Sequence, residues 1–236
     1  MESANNGDFN YTKDGFSKPP KRTSKAWSLV KKAFKKFWYI VAIVVIIIAG
    51  LVTMLVLENN KTAAWNKASD YFAKADYESA EKLIDNYSIP NDAARQRVYA
   101  QTMLATGKLD KALAGYEKLY DTTKDTSAKL IIGNIYNQQE KYDQAIAIYR
   151  EIIAANSSNV QAYVNLATVY RLQSKNDDAI KIANEAVQKN PKNITLLELK
   201  ISMLLENQNS AEYKKAVADL KAIAPEDPLL KALNEQ

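Results

Sequence analysis

An internal repeat constrains this chain more than any other feature of its sequence. Residues 129–157 align without a gap on residues 163–191, at an offset of 34 residues, and Tyr136 then matches Tyr170. A period of this length, with small and apolar residues at fixed positions, is typical of helix pairs that stack side by side. One such pair buries too little apolar surface to be stable alone, so several units must pack together.

The residues at the repeating positions carry the pattern of a known family, W-x2-L-G-x2-Y followed by A-x3-F and P. They are Tyr163, Leu166, Ala167, Tyr170, Ala179, Ala186 and Pro191 in one unit, and Gly133, Tyr136, Ala145 and Tyr149 in the unit before it. The chain therefore resembles the tetratricopeptide repeat family. The resemblance implies antiparallel helix pairs in a right-handed superhelix, whose concave wall is built from the first helices.

The resemblance predicts an all-α fold with an α-solenoid of about five helical hairpins. The units are expected at 62–92, 93–125, 126–159, 160–193 and 194–227, followed by a terminal cap at 228–236. The first unit should have a shortened second helix that ends near Pro90. The last should have an irregular turn, because Tyr213 occupies a position meant for a small residue. Close helix crossings need small residues, so Gly133 is expected to face Ala145.

A second feature is the uncharged run of 20 residues from Trp38 to Leu57, of which 13 are Ile, Val or Leu. As a helix it would be about 30 Å long, the thickness of a bilayer core. A buried core helix is usually shorter and has a polar face. A cleaved signal peptide has a shorter apolar stretch and a small-residue cleavage site. We therefore predict that residues 38–57 are a retained transmembrane helix, the signal anchor of a single-pass membrane protein.

Positive charge is concentrated before this run. Residues 1–37 carry nine Lys or Arg and three acidic side chains, whereas residues 61–236 carry 23 of each sign. Cytoplasmic flanks of membrane helices carry the excess of Lys and Arg. We therefore expect a cytoplasmic amino terminus and extracytoplasmic repeats at the plasma or inner membrane. The neutral repeats show no basic stripe, so nucleic acid is not an expected partner.

The leader divides into two parts. Residues 1–24 are polar and show no apolar period, so we expect a disordered cytoplasmic leader. In residues 25–37, apolar side chains recur at three- and four-residue steps between lysines, which predicts a basic amphipathic segment on an anionic leaflet. The lysines assigned to membrane-surface contact and topology are Lys31, Lys32, Lys35 and Lys36. A role in topology alone is the simpler interpretation of the same lysines.

Polar side chains on the first helices are the candidates for partner binding. Positions that resemble the groove-facing ones of the family are Arg97, Gln101, Asn134, Asn137, Gln138, Gln161, Asn165, Thr168 and Arg171. Polar residues on exposed helix faces are often simply solvated, and this alternative stays open for each. Some family members grip a peptide's terminal carboxylate with cations, but Leu130, Thr195 and Leu199 stand at those positions here. Without these cations, the neutral amides suit an extended backbone or a partner helix better.

The sequence shows no pattern typical of an enzyme. It has neither Cys nor His, and it lacks a glycine-rich phosphate loop and a nucleophile elbow. Carboxylates such as Asp143 and Asp177 are expected in the short turns between helices, as ordinary N-caps. We therefore expect a protein that is not an enzyme, needs no cofactor or metal, and binds a protein or peptide partner.

The leading hypothesis is a membrane-anchored scaffold or adaptor that organises a membrane complex for secretion, export chaperoning or envelope assembly. Its layout is similar to that of bacterial inner-membrane proteins with an exported tetratricopeptide domain. The alternative is a receptor in an organelle membrane with cytosolic repeats, similar to mitochondrial import receptors. The cation distribution and the missing clamp argue against this alternative.

Overall fold

The protein is described by a computed structural model that covers residues 24–234, and within this range the regular structure is helical. The helices are α1 (Ser24–Ala73), α2 (Tyr77–Ile84), α3 (Ala93–Ala105), α4 (Leu109–Thr123), α5 (Thr126–Gln138), α6 (Tyr142–Ala155), α7 (Val160–Leu172), α8 (Asn176–Lys189), α9 (Ile194–Met203), α10 (Ala211–Ile223) and α11 (Pro228–Asn234). The predicted all-α fold is confirmed. The predicted leader, except Ser24, lies outside the described residues. The chain divides into two compact units between Asn60 and Lys61.

The first unit contains the apolar part of α1. An 18-residue window of this helix has a mean hydropathy of 3.3, and none of the window is buried. Ile46, for example, is 70% exposed. A core helix of a soluble protein would be mostly covered, whereas this one is long and apolar enough to cross a membrane. The helix is therefore a candidate membrane span, and its exposed lysines include Lys31, Lys32, Lys35 and Lys36.

Helix α1 does not end with the apolar run. Residues 58–61, between the predicted transmembrane helix and the first predicted repeat, are also helical, and the helix continues to Ala73. No Gly or Pro occurs between Leu51 and Ala73 to stop it. In the second unit, Trp65 near the end of α1 packs in one cluster with Ala80 and Ile84 of α2. The end of α1 is thus the first helix of the first hairpin.

Residues 61–234 form a row of helical hairpins. The end of α1 pairs with α2, and the next pairs are α3 with α4, α5 with α6, α7 with α8, and α9 with α10. Helix α2 has only eight residues, as the predicted shortening requires, but it ends at Ile84, before the predicted end near Pro90. At the other end, Leu230 of α11 packs against Leu197 and Leu220. The bounds predicted for the individual repeats remain predictions.

The first four hairpins share one turn. The second residue after the first helix has a positive φ of 58°, 74°, 59° and 58° at Ala75, Gly107, Glu140 and Ser174, respectively. In each turn the next N–H bonds back to the carbonyl five residues earlier, as from Lys141 to Tyr136 at 2.8 Å. This is the left-handed helix cap of a Schellman motif. In the fifth hairpin the 3-10 turn Leu205–Asn207 replaces it, which confirms the predicted irregularity.

Short polar side chains begin the first helices of the later hairpins. Asp92, Asp125, Asn159 and Asn193 each accept a backbone N–H two or three residues further on. The second helices α4, α6 and α8 begin differently, because their N-cap residues Lys108, Lys141 and Lys175 make no side-chain cap bond. Asp143 and Asp177 lie in the first helical turn, so their prediction as N-caps is wrong. There they interact favourably with the helix dipole.

Candidate functional site

Four side chains from three consecutive helices form one hydrogen-bonded row. The Tyr149 hydroxyl of α6 donates to Oδ1 of Asn134 on α5 at 2.8 Å. Nδ2 of Asn165 on α7 donates to the same oxygen at 2.7 Å. Nε2 of Gln161, one turn earlier on α7, donates to Oδ1 of Asn165 at 2.8 Å. We call Tyr149, Asn134, Asn165 and Gln161 the amide row, and it connects the third and fourth hairpins.

Gly133 determines how Tyr149 enters this row. A Cβ atom at Gly133 would lie 2.6 Å from Cε1 of Tyr149, and the two next nearest atoms belong to Ile148 and Tyr149. The sequence predicts that Gly133 faces Ala145, but the tyrosine ring fills the helix crossing instead. The ring is fully buried. Burial raises the pKa of Tyr149 to about 12, so its hydroxyl stays protonated and remains a donor.

The amide row presents hydrogen-bond donors. A carboxamide oxygen has two lone pairs, and Oδ1 of Asn134 uses both, for Tyr149 and Asn165. No hydrogen bond described for residues 24–234 uses Nδ2 of Asn134, and this residue is exposed. An exposed amide nitrogen that is held in place by its own oxygen suits the carbonyl oxygen of an extended peptide backbone.

Of the nine predicted groove residues, Asn134, Gln161 and Asn165 are brought together in this row. Arg97 instead forms an ion pair with Asp125 at 3.5 Å, with 48% of its side chain exposed. The hydroxyl of Thr168 donates to the Val164 carbonyl of its own helix at 2.8 Å. These two side chains therefore already have local partners.

The other four predicted residues differ in their surroundings. Gln101 is half-buried on α3 and Gln138 is exposed at the end of α5. Oδ1 of Asn137 is buried and has no hydrogen-bond partner among the described residues. Arg171 lines a separate cavity of about 430 Å³, which Glu206 after α9 also lines. Hydrogen bonds thus join three of the nine residues, and a groove that includes all nine remains a prediction.

Tyr149 is the member of the amide row that the sequence did not predict, because a tyrosine at this place in the repeat is expected to be a packing residue. The available signal was the hydroxyl itself. The family pattern has Phe at this position, and a buried Tyr hydroxyl usually finds a hydrogen-bond partner. Among residues 24–234, no group of three or more acidic side chains is arranged as a metal site.

The tetratricopeptide repeat family matches residues 132–194 of the chain, the segment that contains all four residues of the amide row. The structure is also similar to solved structures of helical repeat proteins. The fold is a tetratricopeptide repeat solenoid. No functionally curated protein matches the sequence.

Three of these solved structures are similar to this chain over most of its length. MamA from Desulfovibrio magneticus RS-1, from residue 41 onward, has a TM-score of 0.53 at 15% identity, covering 75% of this chain and 98% of that one. A further crystal structure of MamA gives 0.54 at 19% identity, with 71% and 96% covered. A tetratricopeptide repeat protein from Parabacteroides merdae gives 0.56 at 17% identity, with 74% and 70% covered. At these identities the similarity shows the fold alone.

Proposed function

We propose that this protein is a membrane-anchored scaffold that binds an extended segment of a protein partner along the amide row. The observation that carries the proposal is the pair of hydrogen bonds to Oδ1 of Asn134, from Tyr149 and Asn165. These two hydrogen bonds hold the Asn134 amide in one orientation, in which its nitrogen is available to a partner. Pre-organised donors lower the ordering cost of binding a backbone. Backbone recognition also suits a groove that lacks the cations of a carboxylate clamp.

The anchor in this proposal is the apolar part of α1, which is uncovered in the structure. The excess of Lys and Arg on its amino-terminal side supports a cytoplasmic leader and repeats on the extracytoplasmic side of a plasma or inner membrane. The lysines Lys31, Lys32, Lys35 and Lys36 would then also meet anionic lipid headgroups. A scaffold held at the membrane in this way serves a membrane complex, for secretion, export chaperoning or envelope assembly.

The proposal includes no catalysis and no cofactor. The amide row consists of neutral groups, and the pKa of its one titratable member, Tyr149, is raised by burial. A general base or nucleophile needs a pKa near the working pH or an adjacent activating group. The chemistry of this row is therefore suited to holding a ligand.

Site-specific photo-crosslinking in the full chain, in its native membrane, tests partner binding. The crosslinker replaces Gln138, which is exposed on the same helix as Asn134, and the control places it at exposed Gln188 of α8. We expect adducts from position 138, and their yield should fall at least about fivefold with Asn134→Ala or Asn165→Ala. A fivefold change corresponds to the roughly 1 kcal/mol that one hydrogen bond contributes. Equal adducts from both positions, or adducts that neither substitution weakens, would contradict the proposal.

The location of the repeats has its own test. A carboxy-terminal tag on the full chain should be digested when protease is added to intact spheroplasts, and the protein should stay in the membrane pellet after alkaline carbonate extraction. Protection of the tag would reverse the orientation and favour the receptor with cytosolic repeats. Release of the protein by carbonate would remove the anchor from the proposal.

A further inference from the structure

Two cavities of nearly equal size lie at equivalent places, one hairpin apart. The first cavity, about 310 Å³, lies between α4, α5 and α6, and the second, about 300 Å³, lies between α6, α7 and α8. Their apolar walls correspond at the repeat offset of 34 residues. Ile132 and Ile148 of the first cavity match Leu166 and Ile182 of the second. Neither cavity is lined by a member of the amide row.

In the second cavity the chain supplies its own cation. Arg150 donates from its guanidinium to the Tyr170 hydroxyl at 2.8 Å, and the guanidinium carbon lies 6.0 Å from the centre of the Tyr170 ring. Glu185, the carboxylate of this cavity, accepts a hydrogen bond from the Tyr163 hydroxyl at 3.2 Å. The second cavity therefore has one positive and one negative side chain, with a guanidinium against the tyrosine ring.

In the first cavity a carboxylate stands where Arg150 stands in the second. Helix α4 repeats in α6 at an offset of 33 residues, so Glu117 is the equivalent of Arg150. Tyr136 is the equivalent of Tyr170, and its hydroxyl now donates to Oε1 of Glu117 at 3.3 Å. The tyrosine has the same place in both hairpins, but the sign of its charged neighbour is reversed.

The other carboxylates of the first cavity have cations of their own. Glu151 pairs with Lys129 at 2.6 Å, and Asp121 pairs with Lys124 at 3.3 Å. Glu117 has only the tyrosine hydroxyl among the contacts described for residues 24–234. The first cavity therefore carries one negative charge that no cation balances, and this charge is on Glu117.

A third observation restricts where an added cation can bind. The ammonium groups of Lys124 and Lys129 both lie 5.2 Å from the centre of the Tyr120 ring. On this side of the cavity each carboxylate is already paired with a lysine, so no unbalanced negative charge is left there to attract another cation. The side formed by Tyr136 and Glu117 carries no positive charge in the described part of the chain. A cation that enters the first cavity is therefore directed toward Tyr136, the equivalent of the tyrosine that Arg150 contacts one hairpin later.

We propose that the first cavity binds an arginine side chain of a protein partner. Its aliphatic part packs on Ile132 and Ile148, and its guanidinium pairs with Glu117 against the Tyr136 ring. At the equivalent place in the second cavity, Arg150 holds a guanidinium beside Tyr170. A planar guanidinium can stack on an aromatic ring and bind a carboxylate with two N–H groups, which an ammonium cannot do. This site is additional to the amide row and does not depend on it.

The test is an NMR titration of the full chain in lipid nanodiscs with labelled isoleucine methyl groups. The probe is N-acetylarginine methylamide, and the control is the citrulline analogue, which has the same shape without the charge. We expect saturable shifts of the Ile148 methyl with the arginine probe, at least about threefold weaker binding of the citrulline analogue, and no shift of Ile182. Equal binding of both probes, or equal shifts at both isoleucines, would overturn the proposal.

Reciprocal substitutions make the test specific. Glu117→Arg gives the first cavity its own guanidinium, so the Ile148 response should disappear. Arg150→Glu removes the resident cation of the second cavity, so an arginine response should appear at Ile182. Glu117→Gln, which keeps the side-chain shape, should weaken probe binding at least about threefold and serves if Glu117→Arg does not fold. Unchanged probe binding in both Glu117 variants would reject the site.

Discussion

Gly133 makes room for the ring of Tyr149, and that ring carries the hydroxyl that binds Asn134, the residue directly after the glycine. The Cβ that Gly133 lacks would lie 2.6 Å from Cε1 of the ring, and the hydroxyl reaches Oδ1 of Asn134 at 2.8 Å. One small residue thus allows the crossing of α5 with α6 and also positions a member of the amide row. Packing and binding are therefore coupled at this hairpin.

We predict that Gly133→Ala destabilises the protein in spite of its helical position. Alanine favours a helix over glycine by about 1 kcal/mol, but overpacking a filled core costs about 1–3 kcal/mol. The midpoint of thermal unfolding of the full chain in detergent should fall by roughly 2–4 °C for each net kcal/mol. In a Tyr149→Leu background, which lacks the ring, the same substitution should cost less. A rise of the midpoint with Gly133→Ala would show that the ring moves away freely.

We predict that stability falls with rising pH above about pH 10. Burial raises the pKa of Tyr149 and of Tyr163 to about 12 each, whereas an unfolded tyrosine titrates near 10. The stabilisation is complete below the unfolded pKa and is lost as pH rises through the folded pKa, because the unfolded chain ionises first. Unfolding midpoints between about pH 8 and pH 12 should show a decline that Tyr149→Phe makes shallower. Parallel curves for the two proteins would contradict this assignment.

We predict that Asp125 stabilises α5 mainly as its N-cap. It accepts the Ser127 N–H at 2.9 Å, and this hydrogen bond, followed by the contact with Arg97, lowers the pKa of Asp125. Asp125→Ala should cost about 1 kcal/mol, and Asp125→Asn, which keeps the acceptor oxygen, should cost less. The stabilisation is present above the unfolded pKa of about 4 and is lost as pH falls through the folded value.

Unfolding midpoints at about pH 7 and about pH 3 measure this effect. The difference between the parent protein and Asp125→Ala should shrink at the lower pH. Equal costs of Asp125→Asn and Asp125→Ala would assign the stabilisation to the ion pair with Arg97.

We predict that Glu140→Gly stabilises the third hairpin. Glu140 has a φ of 59°, and Gly107 occupies the same place in the second hairpin with a φ of 74°. A residue with a Cβ is strained in this left-handed conformation, so glycine should add about 0.5–1 kcal/mol. Glu140→Ala is the matched control, because it removes the side chain but keeps the Cβ. Gly107→Ala should lower the unfolding midpoint, and a rise would contradict the assignment.

The repeat period and the capping residues made much of the fold predictable. Asp125 and Asn159 precede their helices at the repeat spacing, and a cap bond is a local interaction. The continuation of α1 beyond Leu57 was not predicted, although the sequence carries the signal, because no Gly or Pro stands between Leu51 and Ala73 to stop the helix. The sequence also placed Asn134 and Asn165 on the first helices correctly.

The amide row itself needs the structure. Tyr149 and Asn165 both donate to its central oxygen, Oδ1 of Asn134. Because Tyr149 and Asn165 are not at equivalent repeat positions, an alignment of the units does not predict that they share this acceptor. The two cavities show the same limit. The alignment matches Glu117 with Arg150, but only the structure shows that each meets a tyrosine hydroxyl.

The shared turn of the first four hairpins has a consequence for how the array assembles. Ala75, Glu140 and Ser174 adopt a backbone conformation that each would avoid in an isolated peptide. Each turn is closed by its own backbone hydrogen bonds, but a lone hairpin buries too little apolar surface to offset the strain. Each unit is therefore stabilised by the units beside it, and we expect the array to unfold cooperatively.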